Sequence, residues 1–266
     1  MKIQKLMMAF TAAVIFYSCS TVPLTGRKQF LAVGDAEVNQ SAATSYRQLL
    51  SDPKTKVITG TSDAQRIKTV GNRLASAIQT YLSQNGYGDQ YNFQWEFNLI
   101  QSPEVNAWCM PGGKVAVYSG ILPITLNDAG LATVMGHEIG HAIAKHSAER
   151  ISQEYLAQGV GAAVGVAANT SSSVLLKSVN ALYGTGSQVM LLKYSRNQET
   201  EADRLGLTFM AMAGYNPNDA VAFWQRMAAK SGGNAPPEFL STHPSDASRI
   251  REIQNRIPEA MKYYKK

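Results

Sequence analysis

The chain has 266 residues, 45% of them apolar and 17% charged, with a formal net charge of +6 at pH 7. That length leaves room for one large or two small domains, and the absence of a linker-like break in composition favours one. The charges are dispersed apart from a small cluster at Lys262, Lys265 and Lys266, and no aromatic-basic stripe marks a nucleic-acid surface, so nucleic acid is not expected as a partner.

The first residues read as a leader rather than as part of the fold. Lys2 and Lys5 form a basic start, and residues 6–17 are an apolar run of twelve. About 20 residues are needed to span a bilayer as a helix, so the run suits a cleaved export signal. Ser18-Cys19 directly after it resembles a bacterial lipoprotein signal, cut before Cys19 so that this cysteine carries the lipid; ordinary secretion is the alternative. Removing residues 1–18 leaves 248, and losing Lys2 and Lys5 lowers the charge from +6 to +4. With Cys19 lipidated, Cys109 is the only free thiol. An intramolecular disulfide is then excluded, and the exported fold must stand on its core.

Residues 22–33, with Pro23 and Gly26, form a lead-in that wraps the domain, and 35–50 read as a helix capped by Asp35. Ser62-Asp63-Ala64-Gln65 fits a capping box. After it Ile67, Val70, Leu74, Ile78 and Tyr81 recur at helical spacing until Asn85-Gly86. Phe93, Trp95, Phe97 and Leu99 alternate with polar residues as a half-buried strand. Pro111-Gly112-Gly113 is a turn, and 114–118 form a second strand of the same small antiparallel sheet. Asn127-Asp128 opens a long helix running to at least Arg150, whose Gly136, Gly140 and Ala144 form a ridge of small residues. Interior glycine costs about 1 kcal/mol relative to alanine, so another segment is expected to approach that ridge closely.

Residues 159–192, rich in Gly, Ala and Ser, read as a mobile helical hairpin or lid. A helix over 197–213 ends at Gly214. Asn218 caps the next, with Val221, Trp224 and Met227 or Ala228 inward, and 232–237 form a loop. Ser245 caps a last helix with Ile250, Ile253 and Ile257 on its apolar face. The fold class is α+β and mostly helical.

The chemistry centres on Gly136-His137-Glu138-Ile139-Gly140-His141, an H-E-x-x-H motif. On a helix, positions four apart lie about 40° from each other, so His137 and His141 can clamp one Zn²⁺. Glu138, about 100° round, is placed to reach a water on the metal. A catalytic zinc site needs a third protein ligand. His146 lies about 140° beyond His141 on the same helix and is expected to face away. A metzincin would need Gly at 144 and His at 147, where this chain has Ala144 and Ser147, so that class is excluded. The third ligand is then a downstream carboxylate or His243. Glu199-Thr200-Glu201-Ala202-Asp203 offers the best carboxylate, with Glu199 and Asp203 one turn apart so that one can bind zinc while the other orients a histidine. Spacing does not choose between Glu199 and Glu201.

The chain resembles the gluzincin metallopeptidases related to the CAAX prenyl protease, HtpX and the mitochondrial Oma-type protease, in particular their periplasmic lipoprotein members such as BepA and LoiP. The resemblance rests on five stretches, and they run in the family's order from residue 22 to about 256. They are Val22-Pro23-Leu24-Thr25-Gly26-Arg27, 106–114, His137 to His141, Ser195-Arg196 through Glu199 to Ala202-Asp203, and Ser241-Thr242-His243-Pro244-Ser245. It implies a zincin-type domain over 19–266 in which His137, His141 and Glu199 hold one Zn²⁺, Asp203 stands behind a ligand, and Glu201 is a helix-surface residue. It further implies Glu138 as the base in peptide-bond hydrolysis. Asn106 and Ala107, with the strand 115–118, resemble the edge on which such enzymes lay an extended substrate. His243 is implied to be a gate that keeps the site latent, an aid to the oxyanion, or a loop cap. The expected activity is cleavage of misfolded or unassembled envelope proteins in the periplasm, with a lipid anchor at Cys19 in the outer membrane. The rival is a chaperone or outer-membrane assembly factor with a latent protease site.

Overall fold

A computed structural model of the chain describes residues 19–157, 172–183, 194–230, 238–243 and 247–264. The expected leader, the loop over 232–237 and most of the expected lid lie outside the described residues, as does Ser245. Strands β1 (Cys19–Thr21) and β2 (Lys28–Phe30) pair antiparallel around the tight loop 22–27. Helix α1 (Asp35–Ser51) follows. Its N-cap is Gly34, and Asp35 instead forms an ion pair with Lys145. After β3 (Val57–Ile58), helix α2 (Ser62–Gln84) is capped by Thr61, whose hydroxyl accepts the Ala64 N–H at 3.2 Å, one residue ahead of the expected box. The stripe Ile67, Val70, Leu74 and Ile78 is fully buried.

Strands β4 (Glu96–Ile100), β5 (Ala107–Met110) and β6 (Lys114–Tyr118) complete a four-stranded sheet in the order β3-β4-β6-β5. The two strands expected in one small antiparallel sheet do share a sheet, while β1 and β2 form the small antiparallel one. The shared sheet is mixed: β4 and β6 run parallel, with Glu96 opposite Lys114 and Ile100 opposite Tyr118. The cause is β5. The chain leaves β4, crosses to the far edge, returns as β5, and the turn at Gly112 and Gly113 feeds β6 back between the two. Both glycines have positive φ, +79° and +85°, and a Cβ on Gly113 would meet the Trp95 ring at 2.7 Å. β5 is buried at every position, so no alternation betrays it in the sequence.

The pleat sorts the core. Phe97, Leu99, Ala107, Cys109, Val115 and Val117 face α2 and the motif helix. Ile100, Trp108, Met110 and Ala116 face α1 and the helices after the motif. A short turn, α3 (Leu122–Thr125), leads to α4 (Asp128–Ile143), where Asn127 Oδ1 accepts the Gly130 N–H at 2.9 Å. The helix expected to reach Arg150 stops at Ile143. Lys145 takes a left-handed φ of 54°, and α5 (His146–Ala157) starts in a new direction. Three contacts hold the break: Tyr91 donates its hydroxyl to Ile143 O at 2.9 Å, and Lys145 lies over the Tyr91 ring while it pairs with Asp35.

Beyond it come α6 (Ser172–Tyr183), which packs on α1, then α7 (Arg196–Met212), α8 (Asp219–Lys230), α9 (Glu238–Thr242) and α10 (Ala247–Ala260). The α7 cap is a capping box, with Ser195 and Gln198 satisfying each other's backbone. No helix among the described residues is long and apolar enough to cross a membrane.

Candidate metal centre

The small-residue ridge determines where the site forms. A Cβ on Gly140 would sit 2.8 Å from Ala202 O, one on Gly136 would sit 3.1 Å from Gly206 O, and one on Gly206 would sit 2.8 Å from His137 N. The backbones of α4 and α7 therefore touch, as the glycine spacing leads one to expect. This contact sets the pair His137 and His141 directly across from Glu199 and Asp203.

Ligand atoms of His137, His141, Glu199 and His243, all buried, lie within 4.8 Å of one another and could hold a metal ion. His141 Nε2 is 3.1 Å from His137 Nε2, and Glu199 lies 3.5 Å from the first and 3.6 Å from the second. His243 Nδ1 is 2.8 Å from Glu199 Oε1 and 3.2 Å from His137 Nε2. The protons decide what this cluster accepts. Asp203 Oδ1, 2.9 Å from His137 Nδ1, takes the ring N–H and leaves a lone pair on Nε2. That lone pair points at His141 Nε2. Two imidazoles on one tetrahedral ion at about 2.1 Å would lie about 3.4 Å apart, so the spacing fits a divalent cation held by nitrogen and oxygen.

Burial pushes His137 below its ordinary pKa and His141 well below, which keeps both rings neutral, the form that binds metal. Burial works against the carboxylates, but in Glu199 the opposing groups win. His243 and the Arg249 guanidinium hold it well below 4.5. Asp203, also buried, is kept low by Arg249 and His137. The same His243 and Arg249 charges act on Glu138, but there burial outweighs them. Burial lifts its pKa to about 8, and its Oε1 has no hydrogen-bond partner among the described residues. For His243, burial would lower the pKa, but Glu199 and Glu138 carry it above 6.5. His243 Nε2 stands 3.5 Å from Glu138 Oε1, so this ring lies against both Glu138 and Glu199.

Three expectations change. His146 does not face away: the break at Lys145 swings its ring inward, with Nδ1 2.8 Å from His141 Nδ1. Glu201 is not a surface residue but is 7% exposed, 3.0 Å from His146 Nε2. The strand over 115–118 is not at an edge, since β6 lies between β4 and β5; the edge is β5, beginning at Ala107. On its free side, Val105 O accepts the Phe239 N–H at 3.1 Å, Asn106 Oδ1 accepts the Ala107 N–H at 2.9 Å, and Cys109 O accepts the Tyr183 hydroxyl at 3.3 Å. Of the stretch expected to cover the site, α6 is thus seen to reach this edge through Tyr183.

Two further residues were not singled out from the sequence. Arg249, buried under the Trp224 ring at 3.7 Å, holds Asp203 through Nε and Nη2 at 2.8 and 2.9 Å and meets Glu199 at 3.0 Å. Tyr194 stacks on His141 with ring centres 3.9 Å apart. Arg249 sits on a polar stretch of an amphipathic helix, where an arginine looks like any solvated one. Tyr194 adjoins the Ser195 cap, and only its place beside a functional helix start marks it.

The model of Peptidase family M48 matches residues 62–257. Mitochondrial metalloendopeptidase OMA1 of Schizosaccharomyces pombe is 34% identical over 241 residues, covering 90% of this chain and 66% of the relative. The β-barrel assembly-enhancing protease of Yersinia pestis is 30% identical over 238 residues, 86% of this chain and 44% of the relative. Metalloprotease YcaL of Escherichia coli is 28% identical over 257 residues, 93% of this chain and 97% of the relative. The chain spans about half the length of several other curated relatives it matches, among them OMA1 of Saccharomyces cerevisiae (49%) and of Bos taurus (48%).

Proposed function

The chain belongs to Peptidase family M48, and from that premise we propose that it is a zinc-dependent metalloendopeptidase acting on misfolded or unassembled polypeptides of the cell envelope. The observation that carries the reading is the convergence of His137, His141 and Glu199 with the unpartnered Glu138 Oε1 beside them.

A zinc ion bound there supplies Lewis acidity toward the scissile carbonyl and brings the pKa of its water towards 7. The chain's own residues do the rest. His137 and His141 present neutral nitrogens, His137 fixed by Asp203, and Arg249 keeps Asp203 and Glu199 ionised. Glu138 takes the proton of the attacking water and returns it to the leaving amine. Its carboxyl suits both halves of that transfer, because burial brings its pKa near the working pH. An extended substrate would add a strand to β5, whose edge reads backbone more than side chains, as a protease of unfolded chains requires.

Some of the relatives are named as mitochondrial and others are not, so the proposed location rests on the leader. We place this chain in the periplasm with a lipid on Cys19 at the outer membrane.

A second reading, an assembly factor or chaperone whose protease site is latent, is favoured by His243 and by the filled edge of β5. His243 Nδ1 occupies Glu199 Oε1, and Phe239 and Tyr183 cap the carbonyls a substrate strand would use. Digestion of an unfolded β-barrel polypeptide by the wild type and by His243→Ala separates the possibilities. A gate predicts a rise of about tenfold or more in the variant, and an aid to catalysis predicts a fall of about tenfold or more. Cleavage by neither form contradicts the peptidase reading and leaves the assembly factor.

A further inference from the structure

The metal ligand His137 has a carboxylate to orient it; the way His141 is oriented has a longer reach. Its Nδ1 meets not an acid but His146 Nδ1 at 2.8 Å, and His146 Nε2 meets Glu201 Oε2 at 3.0 Å. Proton bookkeeping allows one arrangement for neutral rings. A carboxylate only accepts, so the His146 proton is on Nε2. That makes His146 Nδ1 an acceptor and puts the His141 proton on Nδ1, with the His141 lone pair on Nε2, toward Glu199 and His137.

Glu201 is itself held from the far end of the chain. Thr25 Oγ1 donates to its Oε1 at 2.5 Å, and Arg27 Nε donates to its Oε2 at 2.7 Å. The same guanidinium binds Glu149 of α5 through Nη1 at 2.7 Å and Nη2 at 3.1 Å. The loop that offers Thr25 and Arg27 is rigidly folded. The Val22 N–H donates to Arg27 O at 2.8 Å and the Gly26 N–H to Val22 O at 3.0 Å, with positive φ at Leu24 and Gly26. These contacts span 174 residues of sequence and end on a metal ligand.

We infer that His146 and Glu201, clamped by Thr25 and Arg27, are positioning residues that fix the tautomer and ring orientation of His141, so that the N-terminal loop 22–27 is a working part of the metal centre. The inference rests on the metallopeptidase reading for its purpose, while its geometry is carried by the contacts of His141, His146 and Glu201 themselves. A purely structural tie between the loop and α7 would make a different prediction, because it would not depend on which atom His146 offers to His141.

The test compares His146→Phe, which removes the acceptor, with His146→Asn, whose Oδ1 can stand where Nδ1 stood. Zinc affinity is measured by competition with a chelator, and metal-free stability by thermal unfolding. The expected result is a 10- to 100-fold loss of zinc affinity in the Phe variant and a return to within about threefold of wild type in the Asn variant. Equal affinity in wild type and the Phe variant would overturn the inference. Should the Phe variant fail to fold, ¹⁵N histidine spectra of the metal-free wild type decide. Protons on His141 Nδ1 and His146 Nε2 are expected; a proton on His146 Nδ1 would overturn it. A wild-type chain that shows those tautomers but binds no zinc contradicts the metallopeptidase reading instead.

Discussion

Glu138→Gln is expected to abolish peptide-bond cleavage, by a factor of 10² to 10⁴ or more, while the chain still binds one zinc ion with unchanged affinity. The substitution keeps the volume of a side chain that is 3% exposed, so the packing of α4 is preserved. What it removes is the capacity to accept a proton. Glu138 Oε1 lies 3.9 Å from His137 Nε2 and 3.5 Å from His243 Nε2, beside the group that could hold a metal ion and outside it. Its pKa, lifted by burial to about 8, marks a carboxyl that gains and loses a proton near neutrality. An amide does neither. The check is steady-state cleavage of an unfolded polypeptide together with metal analysis of the same preparation. A variant that cuts at the wild-type rate would remove Glu138 from the mechanism, and one that loses zinc would make it a ligand.

Gly206→Val should be the most disruptive change to the scaffold, costing about 3 kcal/mol or more of stability and lowering zinc affinity with it. A Cβ at Gly206 would fall 2.8 Å from His137 N and 2.9 Å from Gly136 C, both backbone atoms that cannot rotate away. Relief requires α4 and α7 to separate. His137 and His141 lie on one of those helices and Glu199 on the other, so separation pulls the ligand set apart. Urea unfolding and zinc competition on the same variant measure the two effects. Wild-type values for both would show that the close approach of the two helices does not build the site.

The sequence shows the elements of this centre that depend on local spacing. His137, Glu138 and His141 follow from the helical period alone, and the ridge of Gly136 and Gly140 announces the close neighbour that α7 turns out to be. Glu199 and Asp203 are visible as a one-turn pair, although choosing Glu199 over Glu201 took the family resemblance.

What the sequence hides depends on tertiary context. The break at Lys145 has no glycine or proline to signal it, because the contacts that hold it come from Tyr91 and Asp35, far away in the chain. Once that break is missed, a straight helix turns His146 outward, and the His141–His146–Glu201–Arg27 chain cannot be seen. The parallel pairing of β4 with β6 is lost for a similar reason, since it requires β5, whose residues are buried on both faces and show no alternation. Arg249 is invisible because nothing in its own helix distinguishes an arginine that points inward.

Hydrolysis by this chain is expected to depend on a single bound metal ion. Zinc added stepwise to the metal-free wild-type chain, with cleavage of an unfolded polypeptide followed at each step, should give no cleavage at the start, a linear rise, and a plateau at one ion per chain. Cleavage that does not change with added zinc would contradict it.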